Sequence, residues 1–315
     1  MTRLKHWAEH LAAFNVSLLV GILPRRMRLG IGRALGSLVF AIDRRHRAIT
    51  LDNVRTAFGD RKTDEERLRV ARGAFQHFGA MLVELLTLGA RKPAEIESLV
   101  EMEGTECFER ARRRGRGVIL VAAHFGNWEL HAIAHGFRFG PIHLVARELD
   151  NAYLNRKLEK LRRVSGNGVI YKKQALRQMR RLMKAGETVA FVIDQNVHLQ
   201  DAVFVEFFGK KAATTPVASW FAITSGAALV PVFCYPLPDG RYRAVYEAAI
   251  DAERFRELPR AEALQKLTQE LVTVQERYIR ERPEIWLWMH RRWRTRPPRA
   301  VARPIEDPVV ATELR

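Results

Sequence analysis

The rhythm of apolar and polar positions changes near residue 117. Before that point, "RRHRAITLDNVRTAF" (44–58) and "TDEERLRVARGAFQHFGAMLVELLTL" (63–88) place apolar residues at helical spacing, with Thr63 as a cap and Glu65 and Glu66 in the first turn. After it come short apolar runs that read as strands: 117–124, 142–147, 168–171, 188–194, 203–208, 228–237 and 241–248. Helical stretches at 128–137, 151–165, 174–185, 216–225 and 260–281 separate most of them. Apolar strands alternating with helices predict an α/β fold, a mostly parallel mixed sheet covered by helices. "YRAVYEA" follows "PDG" (238–240) and reads as an antiparallel hairpin edge. The expected organisation is an N-terminal segment (1–45), an α/β domain (46–296) and an irregular proline-rich tail (297–315).

The N-terminal segment holds two apolar runs, "LAAFNVSLLVGIL" (11–23) and "LGIGRALGSLVFAI" (29–42), with "RRMR" (25–28) between them. Each is shorter than the roughly 20 apolar residues a spanning helix needs. The first lacks a small-residue cleavage site, which argues against a removed signal peptide. Short apolar helices with basic flanks suit a segment lying in, or dipping through, the cytoplasmic leaflet; an ordinary buried helix hairpin is the alternative. Across 315 residues, 53 Lys and Arg stand against 35 Asp and Glu, a formal charge of +18 that implies an anionic partner. The chain has only two cysteines, too few for a disulfide framework.

The candidate chemistry lies in "VILVAAHFGNWELHAIAHG" (118–136). His124 ends a strand, Phe125-Gly126 turns the chain, and Asn127 is an N-cap for a helix that opens with Trp128 and Glu129. On one helix, positions five apart would point about 140° from each other. Across a strand–turn–helix junction, Glu129 can instead face back to His124 at the C-terminal edge of the sheet, the usual ligand side of such folds. A histidine base with an orienting carboxylate suits acyl transfer to a hydroxyl. No serine or cysteine stands where a covalent nucleophile is expected, so direct attack on a thioester is the natural route. A capped helix beside a hydrogen-bonded histidine would leave the same pattern. His131 and His135 lie four apart without a third ligand at metal-site spacing and read as surface or packing residues.

"AAHFGNWEL" (122–130) resembles the signature of the bacterial lipid A biosynthesis acyltransferases, the late lauroyl/myristoyl acyltransferase family. Further stretches are similar to that family in order: "RAITLDNVRTAFGD" (47–60), "LRRVSGNGVIYKK" (161–173), "VIDQNV" (192–197), "VEFFGKKAATTPVASWFAITSGAALVPVF" (205–233) and "PEIWLWMHRRWRTRP" (283–297). The resemblance implies a glycerolipid acyltransferase-like fold with His124 and Glu129 as the catalytic pair. It also implies that Arg163 and Asp194 contribute to activity at substrate. Acyl carrier protein is the implied acyl donor, an anionic membrane glycolipid the acceptor, and the cytoplasmic face of the inner membrane the place; no metal or cofactor is implied. A coupling of Arg163 to Asp194 would satisfy the buried charge expected at a strand end.

One departure bears on the acceptor. Relatives often continue after the Asp-Gln pair with a second acidic residue, whereas this chain has Asn196-Val197-His198. That leaves open a different glycolipid, of the phosphatidylinositol mannoside type, or a lysophospholipid. "WLWMHRRWRTR" (286–296) mixes three tryptophans with four arginines, a composition that suits a membrane interface or single-stranded nucleic acid. No RNA-binding motif accompanies it, so a non-enzymatic membrane or nucleic-acid binder is the remote alternative.

Overall fold

The structure, a computed structural model, describes residues 20–171 and 175–298. Most of the 11–23 run therefore lies outside the described residues. The described chain opens with α1 (Arg25–Ile42), α2 (Arg44–Phe58) and α3 (Asp64–Leu88). Thr63 caps α3 in a full capping box with Glu66, as its sequence position predicts. Helix α1 packs tightly on α3 because both present glycine: a Cβ at Gly36 would lie 2.1 Å from the Phe75 carbonyl oxygen, and one at Gly79 would lie 2.2 Å from that of Gly32.

The α/β part runs α4 (Pro93–Ser98), β1 (Val100–Glu103), α5 (Thr105–Arg113), β2 (Val118–Ala122), α6 (Trp128–Phe139), β3 (His143–Val145), α7 (Ala152–Arg163) and β4 (Gly168–Ile170). It continues with α8 (Ala175–Lys184), β5 (Thr188–Val192), β6 (Val203–Phe207), β7 (Lys210–Thr214), α9 (Val217–Ser225), β8 (Ala228–Pro236), β9 (Tyr242–Tyr246) and α10 (Arg260–Glu281). Seven strands form one sheet in the order β1-β9-β8-β2-β5-β3-β4. β8, β2, β5, β3 and β4 are parallel; β9 runs antiparallel to β8 through the Pro238-Asp239-Gly240 turn, as the hairpin signal predicts.

Two details differ from the sequence expectation. The run at 203–208 does not enter the main sheet: β6 pairs antiparallel with β7 in a separate two-stranded sheet. β1, with α4 and α5, was not marked by the apolar pattern, because a four-residue strand with only Val100 and Met102 apolar carries little periodicity. Central strand β2 is buried throughout. Its Ile119 and Val121 join a core formed with α2, α3, α8, α9 and α10, while Val118, Leu120 and Ala122 join a second core formed with α4 to α7. Helices thus cover both faces, the arrangement that stabilises a parallel sheet.

The aromatic segment after α10 turns inward. Trp286, Trp288 and Arg292 are among the most deeply buried side chains of the protein. Trp288 Nε1 donates to the Pro283 carbonyl, and Arg292 donates to the Ala213 carbonyl and the Thr214 hydroxyl. For Trp286 and Trp288 the membrane-interface reading is therefore corrected: their rings plug the core, where each removes roughly 150–250 Å² from water, while Arg291, Arg294 and Arg296 stay exposed.

Candidate active site

β2 and β5 are neighbours in parallel register, with Ala122 opposite Val192. Two residues beyond that pair, on each strand, stand His124 and Asp194. The sheet itself therefore brings them together across 70 positions of sequence. Asp194 Oδ1 accepts from His124 Nδ1 at 2.8 Å, and Oδ2 accepts from the His124 backbone N–H at 2.8 Å. Trp286 Nε1 donates to the same Oδ2 at 2.6 Å. The carboxylate is buried, and burial alone would raise its pKa. The His124 ring and the hydrogen bonds from His124 and Trp286 outweigh that penalty and hold it far below the usual carboxylate range. With Nδ1–H committed to Asp194, Nε2 is the nitrogen that carries the lone pair in the neutral ring. The His124 side chain is 21% exposed, so that nitrogen stands at the sheet edge.

The turn between His124 and α6 is held from three sides. Gly126, at φ +60°, lies so close to the Cys234 carbonyl that a Cβ there would be 1.7 Å from its oxygen. Gly126 N–H donates to the Ile285 carbonyl, Asn127 N–H to that of Cys234, and Leu287 N–H to that of His124. From α3, His77 Nε2 bonds the Gly126 carbonyl at 3.0 Å, and Glu84 accepts from Asn127 Nδ2. Burial holds His77 near a pKa of 4, hence neutral. Glu84, itself buried, also accepts from Arg25 Nε at 2.6 Å and the Tyr242 hydroxyl at 2.5 Å. Asn127 caps α6 through the Leu130 N–H, as expected.

Glu129 is placed differently from the sequence expectation. It is buried in the first turn of α6, and its partner is Arg162: Nε donates at 2.9 Å and Nη2 at 2.5 Å, the two-armed geometry that suits guanidinium and carboxylate. No hydrogen bond joins it to His124 among the described residues. The carboxylate that orients the ring is Asp194, because β5 lies beside β2 whereas α6 carries Glu129 away from Nδ1. The expected coupling of Arg163 to Asp194 is likewise corrected. Arg163 is exposed at the end of α7, and the neighbouring Arg162 is the arginine that turns inward.

His131 and His135 are not on the surface. Both are buried, and both rings meet the Tyr246 hydroxyl, at 2.9 and 2.8 Å. The phenol can donate to one ring and accept an N–H from the other, and the ring it donates to must then be neutral. Burial lowers both pKa values, that of His131 to about 4. Among the described residues no cluster of three or more metal-ligating side chains occurs.

Two contacts around His124 are not legible in the sequence: the pairing of Asp194 with the His124 ring, and the hydrogen bond from Trp286 Nε1 to Asp194. The available signal for Asp194 was its position just past an apolar strand, where a carboxylate needs a partner; strand order was the missing information.

The chain is 29% identical over 295 residues to the lipid A biosynthesis lauroyltransferase of Escherichia coli (strain K12), covering 93% of each chain. It is 26% identical over 277 residues to the lipid A biosynthesis palmitoleoyltransferase of the same organism, covering 87% of each. A shorter similarity, 26% over 136 residues, links it to the phosphatidylinositol mannoside acyltransferase of Mycolicibacterium smegmatis, covering 42% of this chain and 44% of that one. The family model described as "Bacterial lipid A biosynthesis acyltransferase" matches residues 1–295, so this chain belongs to that acyltransferase family.

Proposed function

We propose that this chain moves a fatty acyl group from an acyl-carrier-protein thioester to a hydroxyl of a lipid A precursor, with His124 as general base. The observation that carries this reading is the His124–Asp194 pair. A buried carboxylate fixes the ring so that Nε2 offers its lone pair at the ligand edge of the sheet. The acceptor hydroxyl gives its proton to Nε2 while its oxygen attacks the thioester carbon. Collapse of the tetrahedral intermediate breaks the C–S bond, and the imidazolium returns the proton to the departing thiolate. Asp194 stabilises that imidazolium and keeps its tautomer. Glu129 acts with Arg162, their ion pair fastening the start of α6 to the end of α7. Arg163, exposed one position on, is free to meet a phosphate of donor or acceptor.

The reading places the reaction on the cytoplasmic face of the inner membrane. On α1, Met27, Leu35, Leu38, Val39 and Ile42 are all exposed, and 35, 38, 39 and 42 fall on one face. Arg26 and Arg33 are also exposed on α1, about 170° round the helix from the centre of that face. An exposed apolar helix face suits shallow insertion at a membrane surface. Among the described residues no helix is long and apolar enough to cross a membrane.

The test is mass spectrometry of a lipid A precursor incubated with acyl-carrier-protein donors of several chain lengths, comparing wild type with His124→Ala. A gain of one acyl chain with wild type alone is expected. A gain that persists in the variant removes His124 from the chemistry, and no gain with any donor moves the acceptor to another glycolipid.

A further inference from the structure

An acyl transfer of the kind proposed above develops negative charge on the thioester carbonyl oxygen, and that charge needs donors that are free before substrate arrives. The turn after β2 does not supply them. The backbone N–H groups of His124, Phe125, Gly126 and Asn127 are already given to Asp194 and to the carbonyls of Ala123, Ile285 and Cys234. The side chain of Asn127 is equally committed, to Leu130 N–H and Glu84.

Gln195 is placed otherwise. Its Nε2 lies 3.5 Å from His124 Nε2, the nitrogen that must take the substrate proton. Because that ring nitrogen holds a lone pair, the amide presents its N–H₂ face to it. The side chain is exposed, yet its backbone is fixed on both sides. Asp194 before it is buried beneath the ring, and Asn196 after it exchanges hydrogen bonds with Thr295: Oδ1 accepts the Thr295 N–H and Nδ2 donates to the hydroxyl, both at 3.0 Å. One N–H of the amide faces His124 Nε2, and no acceptor takes the other among the described residues; that second N–H, beside the base and on an anchored backbone, is the donor a developing oxyanion requires.

We propose that Gln195 is a catalytic residue that donates from its side-chain amide to the thioester carbonyl oxygen; the assignment rests on the acyl-transfer reading above. In the resting protein the amide lies against His124 Nε2. The acceptor hydroxyl takes that place, and the amide shifts to the carbonyl oxygen, only a bond or two away. As the C–O bond forms, the carbonyl electron pair moves onto that oxygen and is held by the Gln195 N–H. When the C=O bond re-forms, the C–S bond breaks and the thiolate leaves with the proton from His124.

The experiment compares initial rates of wild type, His124→Ala, Gln195→Ala, Gln195→Met and Gln195→Glu with an acyl-carrier-protein thioester and a lipid A precursor. Melting temperatures accompany the rates, and Gln195 is exposed enough that each variant should match wild type. Loss of an oxyanion donor lowers kcat about 10²–10³-fold, with KM nearly unchanged. Gln195→Met keeps the length without the donor and should be as slow as Gln195→Ala, an outcome that space-filling alone does not produce. Gln195→Glu should also be slow, because an ionised carboxylate offers no N–H to the developing oxyanion and repels it. If His124→Ala is inactive while Ala and Met at 195 stay within about twofold of wild type, the proposal is overturned, and the N–H groups of Trp128 and Glu129 become the donors. A raised KM with kcat preserved overturns it equally, making Gln195 a ground-state contact. Wild type that transfers nothing from any acyl thioester overturns the acyl-transfer reading and this assignment together.

Discussion

Replacing Asp194 by Asn should convert the reactive histidine to the wrong tautomer. Asp194 Oδ2 receives two donors, the His124 backbone N–H and Trp286 Nε1, while Oδ1 receives only the Nδ1–H of the ring. An asparagine can orient its amide in two ways. With nitrogen on the Oδ2 side, two buried donors would face a third, at about 1–3 kcal/mol for each one left unsatisfied. With oxygen on the Oδ2 side, both donors remain bonded and the N–H₂ faces Nδ1. The second arrangement wins by that margin, and it obliges Nδ1 to carry a lone pair and Nε2 the proton. A base whose Nε2 is protonated cannot accept from the substrate hydroxyl. In a serine protease triad the equivalent change lowers kcat about 10⁴-fold with the geometry intact. A loss of about 10³–10⁴ in acyl-transfer rate is expected here, with only a small change in melting temperature. Initial rates measure the first, and long-range ¹H–¹⁵N correlation spectra of histidine-labelled protein report the tautomer directly. Activity within tenfold of wild type, or an unchanged tautomer, would refute the argument.

The adjacent arginines should behave unlike each other. Arg162→Met strands the buried Glu129 carboxylate and should cost about 3–5 kcal/mol, whereas Arg163→Ala should shift unfolding by no more than about 0.5 kcal/mol; chemical denaturation checks both. Acid should weaken the fold before it titrates the carboxylates. His131 has a folded pKa of about 4 against an ordinary 6.5, so the unfolded state binds the extra proton, and the stability present above pH 6.5 is lost as pH falls toward 4. His131 alone accounts for about 2 kcal/mol at pH 5, and His135 adds loss in the same direction. Melting curves from pH 7.5 to 5 should fall by several degrees, and a flat series would exclude the neutral Tyr246 arrangement. Leu35→Asp with Leu38→Asp, both on the exposed face of α1, should reduce sedimentation with anionic vesicles while leaving the melting temperature close to wild type; full retention on vesicles would put the lipid contact elsewhere.

The fold class was legible because parallel-sheet burial leaves a mark on every strand: β2, β5 and β8 are apolar runs bounded by turns, and the Thr63 and Asn127 caps are local chemistry. The site was legible only where it is local. His124, Gly126 and Asn127 follow from a strand–turn–helix junction. The partner of His124 does not, since Asp194 reaches it through strand order, which no residue near either one encodes. The same limit explains the choice between Arg162 and Arg163. Consecutive positions on a helix differ by 100°, and sequence alone does not say which of two arginines turns inward. The aromatic C-terminal segment misled for a different reason. Tryptophan and arginine serve both a wet interface and a satisfied core, and only the donors and acceptors around Trp288 and Arg292 distinguish them.

Helix α3 shows why a site at the end of β2 needs the N-terminal helices at all. His77 and Glu84 are seven residues apart, two turns on one face, and both hold the reactive turn, at Gly126 and Asn127. On another side of the same helix, Phe75 and Gly79 lie against Gly36 and Gly32 of α1 with no room for a Cβ. Arg25, at the first position of α1, closes the circuit onto Glu84 and onto the Gly240 carbonyl in the β8–β9 turn. A packed helix pair without intervening side chains has little freedom to slide. The exposed apolar face of α1 is therefore fixed relative to His124 through one rigid helix and a buried carboxylate. Under the proposed function, an acceptor hydroxyl on a lipid sits at a set depth, and a His124 base gains from a lipid-facing α1 whose distance from its ring does not vary. That requirement would give a physical reason for a buried glutamate, a neutral histidine and three close-packed glycines in the N-terminal helices.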